Sequence, residues 1–248
     1  KLGTVGVWHK APEVIAMIEA ARARGVDVTA DIYPYLAWQS NLKVLVPDKQ
    51  YTNPASVKEA LDDVGGGRNV QFTRLPQHPQ YVGKRLDDAA KAEGLSEVDF
   101  FIRIVDEGEV GIIGHTMIAD DMRAFMQQPW TMIASDGGIN NNHPRGAGTF
   151  PRVLGPIVRD EQWLTLPDAV RKMTSMPATR LRLTDRGRVA PGMKADLMIF
   201  DPATVADRST FEQPRLPATG MAYVFVNGRP VWTDGRATGE RPGALLRR

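Results

Sequence analysis

The chain has 248 residues, 42% of them hydrophobic and 24% charged, the balance of an ordinary globular protein. Its 31 Lys and Arg against 29 Asp and Glu leave a net charge of +2, and the basic residues are scattered apart from the terminal Arg247 and Arg248, which argues against a nucleic-acid footprint. The absence of cysteine excludes disulfides and thiolate metal ligands, and no apolar run approaches the roughly eighteen residues of a membrane helix. No signal peptide opens the chain, so membrane insertion is not expected and the cytoplasm is the default location.

In chain order, Ala11 to Arg24 spaces Val14, Ile15, Ile18 and Ala21 as a helix, with Pro12 in its first turn and Gly25 just past its end. Val26 to Ile32 is rich in β-branched residues and predicts a strand. Helix, glycine, strand is the rhythm of an α/β barrel. A less regular, Pro- and Gly-punctuated insertion occupies about 43–110, with short helices at Ser56–Leu61 and Leu86–Glu93; such a segment near strand ends suggests an active-site cover. Val110–Ile113 and Thr131–Ala134 predict strands, and Ala119–Met126 a helix with Asp120 and Asp121 in its first turn. Leu166–Leu183 predicts one helix with Pro167 at its start and a second from Ser175. From Gly187 the pattern becomes short strands: Val189, Leu197–Phe200, Tyr223–Val226 and Val231–Trp232, cut by Asp201-Pro202, Asn227-Gly228 and Asp234-Gly235. Asn-Gly between β-formers is a hairpin signal. The expected domains are therefore 1–187 and 188–248.

The densest chemistry lies in TMIASDGGINNNHPRGAGTFPRVLG, Thr131 to Gly155. A short apolar run stops at Asp136, then opens into glycines and a polar loop carrying His143 and Arg145. That is the pattern of a buried strand delivering a carboxylate to a loop mouth, and in α/β barrels catalytic groups sit at that strand end. Tyr33 also stands where a strand ends, held extended by Pro34. Among the other histidines, His115 in IIGHTM follows an apolar run and reads as structural, His9 sits in a loop before the first helix, and His78, between Pro76 and Pro79, reads as exposed. Met117, Met122, Met126 and Met132 read as core filler.

The SDG and HPRGAGTFPRVLG motifs resemble those of the N-acyl-D-amino-acid deacylases (D-aminoacylases), a branch of the metal-dependent amidohydrolases. The resemblance continues through ADIYPY (Ala30 to Tyr35), DAVRKMTSMPATRLRL (Asp168 to Leu183), DRGRVAPGMKADLMIFDPATVAD (Asp185 to Asp207) and VFVNGRPVW (Val224 to Trp232). It implies the C-terminal half of the enzyme: the last strands of a TIM-like (β/α)8 barrel with a lid-like insertion, followed by part of a small β-sandwich. It implies hydrolysis of N-acyl-D-amino acids with zinc, one or two ions, as cofactor. Asp136 takes the role of proton carrier and metal ligand, and Arg145 that of clamp on the substrate carboxylate. Tyr33 and His143 are implied at the substrate, as is Lys1, matching the lysine of a His-x-Lys motif. The family's His-x-His metal pair is absent from the four histidines, so most zinc ligands are expected from an N-terminal portion of the same enzyme. A cyclic-amide hydrolase of the dihydroorotase or hydantoinase type, and a non-catalytic fragment serving in binding or assembly, remain the alternatives at this point.

Overall fold

The structure, a computed structural model, describes residues 3–138 and 142–246. In chain order its elements are α1 (Ala11–Ala23), β1 (Ala30–Ile32), β2 (Trp38–Asn41), α2 (Pro54–Asp63), β3 (Val70–Arg74), α3 (Leu86–Ala92), α4 (Glu97–Ile104), β4 (Gly111–Gly114), α5 (Ala119–Met126) and β5 (Thr131–Ile133). There follow α6 (Arg145–Arg152), a wide π-helical stretch at Val153–Asp160, α7 (Leu166–Met173), α8 (Ser175–Arg180), and strands β6 (Leu197–Phe200), β7 (Met221–Val226), β8 (Arg229–Thr233) and β9 (Arg236–Ala237). Among the described residues no helix is long and apolar enough to cross a membrane. The chain divides into two compact units, Lys1–Val26 with Tyr35–Phe125, and Asp27–Pro34 with Met126–Arg248.

The first unit is more regular than its sequence suggests. Its antiparallel sheet runs β2-β4-β3, with Trp38 opposite Gly114 and Phe72 opposite Ile112. Ile112 and Ile113 of the central strand are both fully buried, so this strand is covered on both faces. Phe72, Phe100, Phe101, Ile104 and Leu86 fill the core, with Phe72 and Phe100 edge to face at 6.2 Å. Asn53 caps α2 through Ala55 N at 3.0 Å, and Ser96 caps α4 through Asp99 N at 3.1 Å. Asp121, predicted only as a favourable first-turn acid of α5, also accepts from the backbone of His9 and Ala11 and so tethers the start of α1. Gly114 is required: a Cβ there would lie 2.3 Å from the Trp38 ring. Trp38 in turn donates its indole N–H to Thr116 Oγ1 at 2.8 Å.

In the second unit β1 and β5 pair in parallel, Ala30 with Thr131 and Ile32 with Ile133. Lys172 of α7 is fully buried and donates its ammonium to the carbonyls of Gln128 and Thr131, pinning the start of β5. Burial pushes its pKa down, countered by Asp168. The later strands form a meander, β6-β7-β8-β9. The Asn227-Gly228 turn has φ of 49° and 78°, and Asp234-Gly235 has 50° and 81°, the two left-handed residues a tight hairpin needs. Val189, expected in a strand, is instead 87% exposed and outside any strand, because Pro191 and Gly192 follow it in a turn.

Candidate active site

Parallel pairing brings two sequence-predicted residues together. Tyr33 directly follows β1 and Asp136 lies three residues past β5, so both leave the same end of the same two-stranded sheet. The backbone bond from Ala134 N to Ile32 O, 3.0 Å, extends the pairing to that point. Asp136 then adopts φ +45°, a left-handed conformation that Asp tolerates better than most side chains. This turns the strand away and leaves its carboxylate half-exposed.

Arg145 is the first residue of α6, not part of an open loop, and its side chain is buried. Its Nη1 stands 3.0 Å from Asp136 Oδ2, and its guanidinium carbon lies 4.8 Å from the centre of the Tyr33 ring. Arg145 Nε and Nη1 are nevertheless buried without an aligned hydrogen-bond acceptor. A guanidinium sunk beside one half-exposed carboxylate and a ring is a poor way to gain stability. It is a good way to present donors to an incoming anion.

His143 is fully buried, and its Nδ1 accepts the backbone N–H of Arg145 at 3.0 Å. Its ring meets Tyr33 edge-on at 6.1 Å and Phe211 at 5.2 Å. Burial raises the Tyr33 pKa, an effect Arg145 partly opposes, so the phenol is protonated at neutral pH and can donate. Lys1 lies outside the described residues. His115 is structural, its Nε2 2.9 Å from Gln71 Oε1. His78, expected to be exposed, is half-buried: it packs against the Tyr81 ring and stands 3.2 Å from Glu107. His9 is exposed with φ 63°.

Two contacts at the site have no signature in the motifs. Gly137 abuts α6 so closely that a Cβ on it would sit 2.5 Å from Gly146 Cα. Gly137→Ala is therefore expected to force the SDG turn off the helix start. The cost is about 1–3 kcal/mol, or roughly 2–12 °C in Tm for a protein of this size. Thermal unfolding that leaves Tm unchanged would show that the two backbones can part freely. The second contact is Phe211, which reaches His143 from a loop far along the chain, where only the fold could reveal it.

Zinc chemistry needs three or more protein donors. Among the described residues no group of three or more His, Asp or Glu side chains is placed to hold an ion. Asp136 alone offers a carboxylate here, so the described residues do not make a metal site by themselves.

A model of the Amidohydrolase family matches residues 8–232. The N-acyl-D-glutamate deacylase of Alcaligenes xylosoxydans xylosoxydans is 37% identical over 243 residues, 97% of this chain and 46% of the relative. The D-aminoacylase of the same organism is 39% identical over 244 residues, 97% of this chain and 46% of the relative. A crystal structure of D-aminoacylase, described as defining a novel subset of amidohydrolases, superposes with a TM-score of 0.85 at 37% identity, covering 99% of this chain and 48% of that one. An N-acyl-D-glutamate deacylase from Bordetella bronchiseptica, complexed with zinc and a phosphonate mimic of the tetrahedral intermediate, gives 0.83 at 34% identity, covering 99% and 48%. The chain thus spans about half the length of these relatives. With an α/β fold and structural neighbours among the D-aminoacylases, it belongs to the amidohydrolase family.

Proposed function

We propose that this chain forms the later part of an enzyme that hydrolyses the amide bond of N-acyl-D-amino acids, giving a carboxylate and a free D-amino acid. The observation that carries the reading is the buried Arg145 guanidinium, set beside Asp136 and over Tyr33, whose Nε and Nη1 make no aligned hydrogen bond among the described residues. A free α-carboxylate is the anion such a planar fork holds best, through two parallel hydrogen bonds. The protonated Tyr33 phenol donates to the same carboxylate or to the scissile carbonyl.

Asp136 is the proton carrier. As the water oxygen bonds to the carbonyl carbon, Asp136 takes the proton it releases; as the C–N bond breaks, Asp136 gives that proton to the departing nitrogen. Zinc, present in the Bordetella relative, is the metal this reading implies. Asp136 offers it one carboxylate, and its remaining ligands come from outside the described residues.

In the same reading residues 1–187 are the last part of a (β/α)8 barrel with a lid-like insertion at about 43–110, and 188–248 are part of a small β-sandwich. Exposed Leu197, Met198 and Ile199 on β6 support the sandwich, because an apolar strand of this kind is usually covered. An N-terminal portion of the same enzyme is the partner the reading needs, consistent with relatives about twice this length. The test is steady-state hydrolysis of paired N-acetyl-D- and N-acetyl-L-amino acids by the whole, zinc-loaded enzyme. Turnover of the D-forms alone is expected; equal rates on both would overturn the stereochemical assignment.

A further inference from the structure

His143 lies against the proposed clamp without surface of its own to offer a substrate, since its ring is fully buried. Its ring contacts among the described residues point to another task. Nδ1 accepts the Arg145 N–H, so the neutral ring carries its hydrogen on Nε2. That N–H is the first of α6, whose N-cap is Pro144 and has no side chain able to cap the helix. An imidazole thus does what Ser or Asp does at most helix starts, and it does so on the residue whose guanidinium faces Asp136.

The imidazole is itself held. Tyr33 packs at one of its edges and Phe211 lies nearly perpendicular to it, at 81°. The segment that carries Phe211 is fastened along the same helical run. Arg152 of α6 pairs with the buried Asp207 carboxylate at 3.1 Å, and Arg159 donates to the Val205 carbonyl at 2.8 Å. Gly155 passes so near Val205 that a Cβ would lie 2.1 Å from its carbonyl oxygen. Residues 205–211 therefore brace the helix from Arg145 to Arg159, and Phe211 carries the brace to its first residue.

We propose that His143, backed by Phe211, is a positioning residue: it fixes the backbone of Arg145 so that the guanidinium meets the substrate carboxylate, and it does not touch the substrate. This deepens the functional reading above and rests on Arg145 being the clamp. Two substitutions separate its parts. His143→Phe keeps a ring between Tyr33 and Phe211 but removes the acceptor. His143→Asn loses the ring but places an amide oxygen near the position of Nδ1.

The experiment compares KM and kcat of the whole metal-loaded enzyme for an N-acetyl-D-amino acid and for its amide-capped counterpart. It adds the ¹⁵N spectrum of the His143 ring. With the acceptor gone, the buried N–H is left unsatisfied, so His143→Phe should raise KM for the free acid about tenfold or more. Its kcat should change much less, and the capped substrate should suffer less than the free acid. His143→Asn should recover most of the KM loss. The proposal is overturned if His143→Phe leaves KM unchanged, if both substrates lose equally, or if His143→Asn is no better than His143→Phe. A ring hydrogen on Nδ1 overturns it as well, and that spectrum is independent of catalysis. A wild-type enzyme inert toward every N-acyl-D-amino acid, with the hydrogen on Nε2, would instead sink the functional reading and leave the tether standing.

Discussion

Asp136→Asn is expected to lower kcat by roughly 10²–10⁴-fold, the usual worth of a positioned proton carrier, while leaving Tm close to that of the parent. The two halves of this expectation have separate physical causes. Asn has nearly the same shape as Asp and is at least as tolerant of the left-handed region, so the +45° φ at this position is kept without added strain. The side chain is 52% exposed, so loss of its charge beside Arg145 costs the fold little. An amide, however, cannot take a proton from water at neutral pH. Circular dichroism, thermal unfolding and single-turnover kinetics on the same preparation check both halves. Turnover within a few fold of the parent would remove Asp136 from the role of base.

Arg145→Lys is the second large effect, and it falls on recognition. Lysine keeps the charge but loses the planar fork, and its compact ammonium cannot lie flat over the Tyr33 ring as the guanidinium does at 4.8 Å. Loss of one charge-assisted hydrogen bond costs about 1.5–3 kcal/mol, on the order of tenfold to a hundredfold in kcat/KM. The loss should be seen on substrates with a free carboxylate and shrink on amide-capped ones. An equal loss on both would mean that Arg145 supports the site generally and does not read the carboxylate.

The chemistry of the site was more legible in the sequence than its shape. Asp136, Tyr33 and Arg145 could be singled out because strand ends, Gly-rich turns and the HPR motif are local signals. The parallel pairing of β1 with β5, in which Ala30 meets Thr131, is what joins them, and only the fold displays it. Helix α6 was hidden by its own composition: Gly146, Gly148 and Pro151 are poor helix formers. It persists through tertiary contacts, with Gly146 against Gly137 and Arg152 paired with Asp207 at 3.1 Å. Pro156, which lacks an N–H and crowds the preceding turn, lies within the following stretch of π-helix.

The insertion shows the opposite failure. β2 and β3 contain Gln39, Ser40, Gln71 and Thr73, so they lack the apolar run that marks a buried strand, yet Trp38 and Phe72 anchor them in a shared core. Helix α4 could have been found, since Ser96 followed by Asp99 ahead of Phe100 and Phe101 is a helix-start signature. Phe211 and Asp207 could not, because nothing local says that a loop between β6 and β7 braces a helix more than fifty residues earlier.

The proposed site sets a base, Asp136, just past the C-terminal end of β5 and a carboxylate clamp, Arg145, at the start of α6, facing one small substrate. The most direct measurement is kcat/KM of the whole zinc-loaded enzyme for an N-acetyl-D-amino acid against the same molecule with its carboxylate capped as an amide. The account predicts a preference for the free acid of about tenfold or more, set by the charge-assisted bonds to Arg145. Equal values for the two substrates would contradict it.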